Sequence, residues 1–308
     1  MSASVPTTIA DYLDQLRDAL KGADPALIQD ALYDAEEHLR SELAENRGIS
    51  EADLLARMAT TYGVPEEVAD IYRDKEIQIT RALRTPPRKP SRSVAGKFFG
   101  VIADPRAYAG LFYMLLSLAT GIFYFTFVTT GLSLSLGLSI LIIGIPVAVL
   151  FLGLVHVLSL VEGRIVEVML GERMPRRPVY PTAQIGFWAR IGNLVSDPRT
   201  WTTMLYFLVM LPLGILYFTI AVTGLSISLA FIAAPFVRLF ADFGFEHAGI
   251  FIDGVNITSD IFFLGNLWLP LIFVAGVIGL FVMLHLARGI GYLHGQIAKV
   301  LLVHSSAN

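Results

Sequence analysis

Between Arg106 and Glu162 the chain runs for 55 consecutive residues without an Asp, Glu, Lys or Arg. A helix needs about 20 apolar residues to cross the hydrocarbon core of a bilayer, so this run is too long for one crossing and right for two joined by a tight turn. Two further uncharged stretches cover residues 200–237 and 261–287. Hydrophobic residues make up 55% of the chain and charged residues 16%. Soluble domains carry about 25% charged residues, so a water-soluble protein is excluded. With no cysteine there is no disulfide, thiolate metal site or cysteine nucleophile.

The apolar segments resemble one another. Shifted by 93 positions, "DPRAYAGLFYMLLSLATGIFYFTFVTTGLSLSL" (104–136) lies over "DPRTWTTMLYFLVMLPLGILYFTIAVTGLSISL" (197–229). Further on the offset is 132, and "HVLSLVEGRIVEVML" (156–170) falls over "RGIGYLHGQIAKVLL" (288–302). A self-similarity of this extent is read before any single residue. It predicts an all-α membrane body of two parallel hairpin repeats, 104–171 and 197–303, the second holding an outer insert at about 225–263. Each repeat opens on an Asp N-cap with Pro at the first helical position. Spans are expected at about 107–129, 137–158, 200–222 and 264–286, one helix length each. The turn of the first hairpin is placed at 129–137, and interfacial amphipathic helices at about 160–171 and 289–303. The stretch 225–240 is read as an outer-surface or re-entrant segment rather than a fifth span.

Cations set the orientation. Arg81, Arg84, Arg88, Lys89, Arg92 and Lys97 precede the first span, and Arg164, Arg173, Arg176, Arg177, Arg190 and Arg199 lie in or flank the connection between the repeats. Both groups are expected in the cytoplasm with both termini, in a bacterial inner membrane. The start of the chain lacks a basic flank followed by an apolar core, so no signal peptide is expected there.

Residues 1–80 form a different kind of segment, with 7 basic and 17 acidic residues, a net of 7 − 17 = −10. Thr8 with Asp11, Asp24 with Pro25, Ser50 with Asp53, and Gly63-Val64-Pro65 punctuate four short helices. Their inward stripes are Tyr12, Leu13, Leu16 and Leu20; Ile28, Leu32, Ala35, Leu39 and Leu43; Leu54, Leu55 and Met58; and Val68, Ile71 and Tyr72. The acidic balance argues against direct nucleic-acid binding and for a protein partner. His38 follows Glu36 and Glu37, but no second His completes a zinc pattern, so it is read as packing at the stripe edge. Residues 81–103 are a polybasic linker whose prolines at 86, 87 and 90 stop a continuous helix. Its cations suit anionic lipid or the head's own acidic surface.

The body lacks the constellations of an enzyme. The expected spans hold no charged residue, and neither a nucleophile elbow nor a phosphate loop is present, so no catalysis and no cofactor is expected. His156 and His285 read as interface histidines, and the acidic surroundings of His247 as a solvated loop rather than a metal site. Tyr113/Tyr206, Tyr124/Tyr217 and Thr130/Thr223, equivalent across the repeats, are the candidate ligand-facing residues. Pro146, Pro212 and Pro235 are expected to loosen their helices. Arg106, Arg199, Arg88, Lys89, Arg92 and Lys97 are the candidates for lipid-phosphate contact.

Two resemblances complete the reading. "YLDQLRDAL", "DALYDAEEHL", "GISEADLL" and "YGVPEEVADIY", over about residues 10–75, resemble the HAAS domain, an α-helical bacterial signalling module. That resemblance implies a membrane protein encoded beside a PadR-type repressor, the expected partner, and points to Glu37, His38 and Pro65 as partner-facing. "DPRAY", "YFTFVTTGLSLSLG", "GIPVAVL", "EVMLG", "SDPRTW" and "LPLGILYFTIAVTGLSISL", over about residues 95–303, resemble the sensor domain fused ahead of many bacterial sensor histidine kinases. No kinase motif follows here, and the HAAS-like head takes the output position. The expected function is a sensor or regulator relaying an envelope or hydrophobic stimulus to a cytoplasmic partner, with a homo-oligomer compatible. A lipid or small-molecule transporter, or a lipid-binding scaffold, is the alternative.

Overall fold

The computed structural model describes residues 6–46, 48–83, 94–140, 144–177, 192, 196–242, 251–252, 255–256 and 268–303. Among them the chain is helical apart from turns, the segment 171–177 and a two-residue antiparallel ladder that pairs Phe251 with Asn256 and Ile252 with Val255. Two compact units divide it. The first takes Met1–Pro87, Phe123–Met210 and Tyr292–Asn308, and the second takes Arg88–Ile122 and Leu211–Gly291.

The first unit begins with the acidic head. Helix α1 (Ile9–Ala19) starts where the Thr8 hydroxyl accepts the Asp11 N–H. Helix α2 (Pro25–Glu45) starts at Asp24, whose carboxylate accepts the Ala26 N–H. Helix α3 (Glu51–Thr61) is capped by Ser50 and helix α4 spans Pro65–Leu83. Leu16, Leu20, Leu27, Ala31, Ala35, Leu39, Leu54 and Val68 close one apolar core. The Tyr12 hydroxyl donates to the Gly63 carbonyl at 3.0 Å and ties α1 to the turn before α4. Ile71 does not join this core and is 50% exposed. The inward face of α4 runs through Val68, Ala69 and Tyr72, which leaves Ile71 about 100° round the helix.

Four helices are long and apolar enough to cross a membrane: α6 (Pro105–Leu138), α7 (Gly144–Leu170), α8 (Pro198–Asp242, apolar to Arg238) and α9 (Leu269–Leu302). At most 33% of the most apolar stretch of each is buried, so most of that surface is left for lipid. In the first unit α6 and α7 form a hairpin. Phe127 packs on Phe151 at 5.5 Å, and Gly131 lies so close to the Phe151 ring that a Cβ there would fall 2.2 Å from it. Only a residue without a side chain admits that approach.

The second unit holds α5 (Val94–Phe99), a 3-10 turn (Gly100–Ala103) and the remaining parts of α6, α8 and α9. Here α8 and α9 run antiparallel: Gly224 lies against Met283, and Ser228 lies against Gly279 and Gly276. Met114, Tyr217, Ala221, Met283 and Ala287 form its core.

Several expected boundaries move. Residues 129–137 are not a turn but the last turns of α6. The Thr129 hydroxyl bonds the Phe125 carbonyl at 2.8 Å, so these weakly polar side chains are satisfied within the helix instead of breaking it. Residues 225–240 are not a separate surface segment; they continue α8, a single 45-residue helix of about 67 Å that accommodates Pro212 and Pro235. The amphipathic stretches 160–171 and 289–303 run on from their spans inside α7 and α9. Pro146 sits in the first turn of α7, where its missing N–H has no partner to lose.

Candidate functional site

Helix α7 carries the polar chemistry of the first unit. Its residue Glu162 is wholly buried among apolar helices, at 0% exposure. Oε2 accepts the hydroxyl of Tyr124 from α6 at 3.0 Å, and Oε1 accepts the hydroxyl of Tyr206 from α8 at 2.9 Å. The Tyr206 oxygen also lies 2.9 Å from Nε2 of His294 on α9. A phenol has one proton; having given it to Glu162, Tyr206 accepts from His294, which fixes Nε2 as the protonated nitrogen. Tyr124 stacks on Phe207 at 4.4 Å, which holds its hydroxyl in place. Three helices thus meet at one carboxylate, and α9 joins them through the Tyr206 hydroxyl. Such a group inside apolar helices is expensive, and its position is informative for that reason.

About one and a half turns further along α7, Glu167 begins a second network. The helix ends at Gly171, whose φ of +75° lets the chain double back. The returning residues 172–177 lie along α7 and α9 as a strap. Met174 packs over Gly163, and Glu172 over Gly295. Arg173 is 7% exposed, with Nη2 2.9 Å from Asp30, Nε 3.2 Å from Glu76 and Nη1 3.5 Å from Glu167. The backbone N–H groups of Arg176 and Arg177 donate to Asp30 Oδ1 at 2.7 and 2.9 Å. Arg176 pairs with Glu167, and Arg177 pairs with Asp34 at 3.0 Å. Lys299 of α9 reaches Asp24 at the start of α2. The head is therefore held on one face of α2 and α4 by charges of the membrane body.

Burial lowers the Arg173 pKa, but Asp30, Glu76 and Glu167 outweigh it, so the guanidinium is held above its ordinary value and stays charged. Burial pushes the Asp30 carboxyl above the usual range, opposed by the Arg176 N–H and the Arg173 guanidinium.

The candidate residues sort by burial. Tyr124 and Tyr206 converge on Glu162, while Tyr113 and Tyr217 are buried in the second unit. Thr130 and Thr223 are exposed and join neither group. Arg199, expected at a lipid phosphate, is only 5% exposed, so its placement in the first turns of α8 does not suit that contact. Arg106 is half-buried. Arg88, Lys89, Arg92 and the surroundings of His247 lie outside the described residues, as does the side chain of Lys97. In the head, Glu37 is exposed, His38 packs at a tilt against the Tyr62 ring, 4.6 Å between centres, and Pro65 is buried. A buried proline offers no contact surface, because its work is to start α4. Among the described residues no group of three or more acidic or histidine side chains is arranged to hold a metal ion.

Glu162, His294 and the strap escaped the sequence reading, yet a signal was there. At the offset of 132, Glu162 lies over His294, Gly163 over Gly295 and Glu167 over Lys299. Those three pairs supply the polar centre, the two seats of the strap, and two charges that hold the strap and the head.

The family profile described as "Putative sensor" matches residues 113–302, and the HAAS profile matches residues 11–70. No curated protein and no solved structure matches the chain.

Proposed function

The chain belongs to the Sensor family, and from that premise we propose that it is a bacterial inner-membrane sensor that signals through its HAAS head to a PadR-type regulator in the cytoplasm. The observation that carries this reading is Arg173, which leaves the end of α7 and is buried among carboxylates of α2 and α4. A stimulus that changes the packing of α6, α7, α8 and α9 around Glu162 moves the α7 terminus, and with it the strap that holds the head. The stimulus is apolar or envelope-derived, since it must act on helices that present apolar surface to lipid. Both termini lie in the cytoplasm, anionic lipid meets the polybasic linker, and the protein performs no catalysis.

Co-purification of the full-length protein with the regulator encoded beside it tests the partner. Transcription from that regulator's promoter tests the output. Deletion of residues 1–83 is expected to abolish both, and Arg173→Ala to shift both. Unchanged transcription after the deletion overturns the reading. Lipid or solute flux in reconstituted vesicles that persists without the head supports a transporter instead.

A further inference from the structure

We propose that the face of the head formed by Gln29, Asp30, Asp34 and Glu76 is the docking surface for an arginine-bearing segment of the cytoplasmic partner, and that residues 173–177 of this chain occupy it as an internal competitor. The inference rests on the reading of the head as the output module, and adds to it the surface and the chemistry of the partner.

The first ground is how completely this face is built around arginine. A guanidinium presents N–H donors in a fixed plane, and Arg173 uses its own against Asp30, Glu76 and Glu167 at once. Arg177 lies against Asp34 through Nε and over the Tyr33 ring, 5.4 Å from its centre. Tyr72 donates to the other oxygen of Asp34 at 3.0 Å and holds that carboxylate toward Arg177. A lysine ammonium would not reproduce the fork at Arg173 or the ring contact of Arg177.

The second ground is that the strap leaves the surface incompletely matched. Gln29 is 8% exposed, and its Nε2 donates to the Arg177 carbonyl at 2.6 Å. That bond fixes which end of the amide is which, because a carbonyl accepts only from the NH2. The Gln29 Oε1 is then left buried with no hydrogen-bond partner among the described residues. An acceptor buried in this way carries a desolvation penalty that a hydrogen bond would offset. A partner segment that supplies the same two arginines and one more donor satisfies the face better than the strap does.

The third ground is geometry. The strap is short, tethered through Gly171 to α7, and seated on the two glycines, so its effective concentration at the face is high but depends on the end of α7. Displacement is therefore open to control from the membrane body.

The test uses the full-length protein in nanodiscs and a fluorescent peptide of residues 171–179, "GERMPRRPV". Binding is followed by anisotropy in the wild type, in Arg173→Ala/Arg176→Ala/Arg177→Ala, and in that variant with Asp30→Asn and Asp34→Asn added. Removing the internal competitor is expected to tighten peptide binding about tenfold or more. The two Asn substitutions are expected to abolish the gain, and a peptide with Lys in place of its arginines to bind more weakly. Equal binding to the wild type and the triple variant overturns the proposal, as does a gain that survives the Asn substitutions. Should the triple variant fail to fold, excess peptide added to the wild type must speed amide exchange at Arg176 and Arg177; unchanged exchange overturns the proposal. None of these readouts involves the regulator, so a failure here stands apart from a failure of the transcriptional test.

Discussion

Arg173 and Asp30 stand 143 positions apart and meet at 2.9 Å, both nearly inaccessible to solvent. One belongs to a short strap after a membrane helix, the other to the second helix of the acidic head. Their contact turns two apparently independent segments into one unit.

Removing Arg173 withdraws the one guanidinium that Asp30, Glu76 and Glu167 share in a poorly solvated place. Breaking such a buried pair costs about 3–5 kcal/mol. Arg173→Ala is therefore expected to release the head, with faster amide exchange at Arg176, Arg177 and the first turns of α2. Arg173→Lys keeps the charge and loses the fork, and should fall between the two.

Asp30 makes stability depend on pH. Burial raises its carboxyl above the usual range, so the folded protein binds a proton there more tightly than the unfolded chain does. The stability linked to that proton is fully present below the unfolded pKa and is lost as pH rises through the higher folded value. The thermal midpoint of the wild type, taken relative to that of Asp30→Asn, is expected to rise as pH falls from about 7 to about 4. A flat or falling difference refutes it.

In the membrane body, Tyr206→Phe removes the hydroxyl that bridges Glu162 and His294. The loss exposes no surface but withdraws one donor from a buried carboxylate, a cost of about 1–3 kcal/mol. Thermal unfolding in detergent should show a clearly lowered midpoint. Thr130→Val, at an exposed position, should stay within about 0.5 kcal/mol of wild type.

The head offers an internal control. Leu16→Ala opens its core and should destabilise by about 2–5 kcal/mol. Ile71→Ala, on the exposed side of α4, should change stability by less than about 0.5 kcal/mol. Loss of head helicity on heating, followed in the full-length protein, separates them.

Much of the architecture could be read before any coordinates existed. Thr8, Asp24 and Ser50 cap their helices as their types predict, because capping acts over two or three residues of the same chain. The four apolar helices follow from hydropathy for a similar reason, since the preference for lipid is summed residue by residue along one segment. The ends were less legible. Small hydroxyl residues at 129–137 resemble a turn until their side chains bond the helix's own carbonyls, and 225–240 looked separable until α8 carried straight through it.

Tertiary structure alone decided the rest. In the sequence Glu162 only marks the end of an uncharged run and Arg173 is one of the cations that set topology, both read from local composition. Whether a carboxylate is buried depends on which helices surround it, and whether an arginine is paired depends on a partner brought in from another part of the chain. Hydropathy and capping are properties of neighbours along the backbone. The meeting of Tyr124 and Tyr206 at Glu162, of His294 at Tyr206, and of Asp30 and Glu76 at Arg173, is a property of packing, because electrostatic and hydrogen-bond energies depend on distance through space.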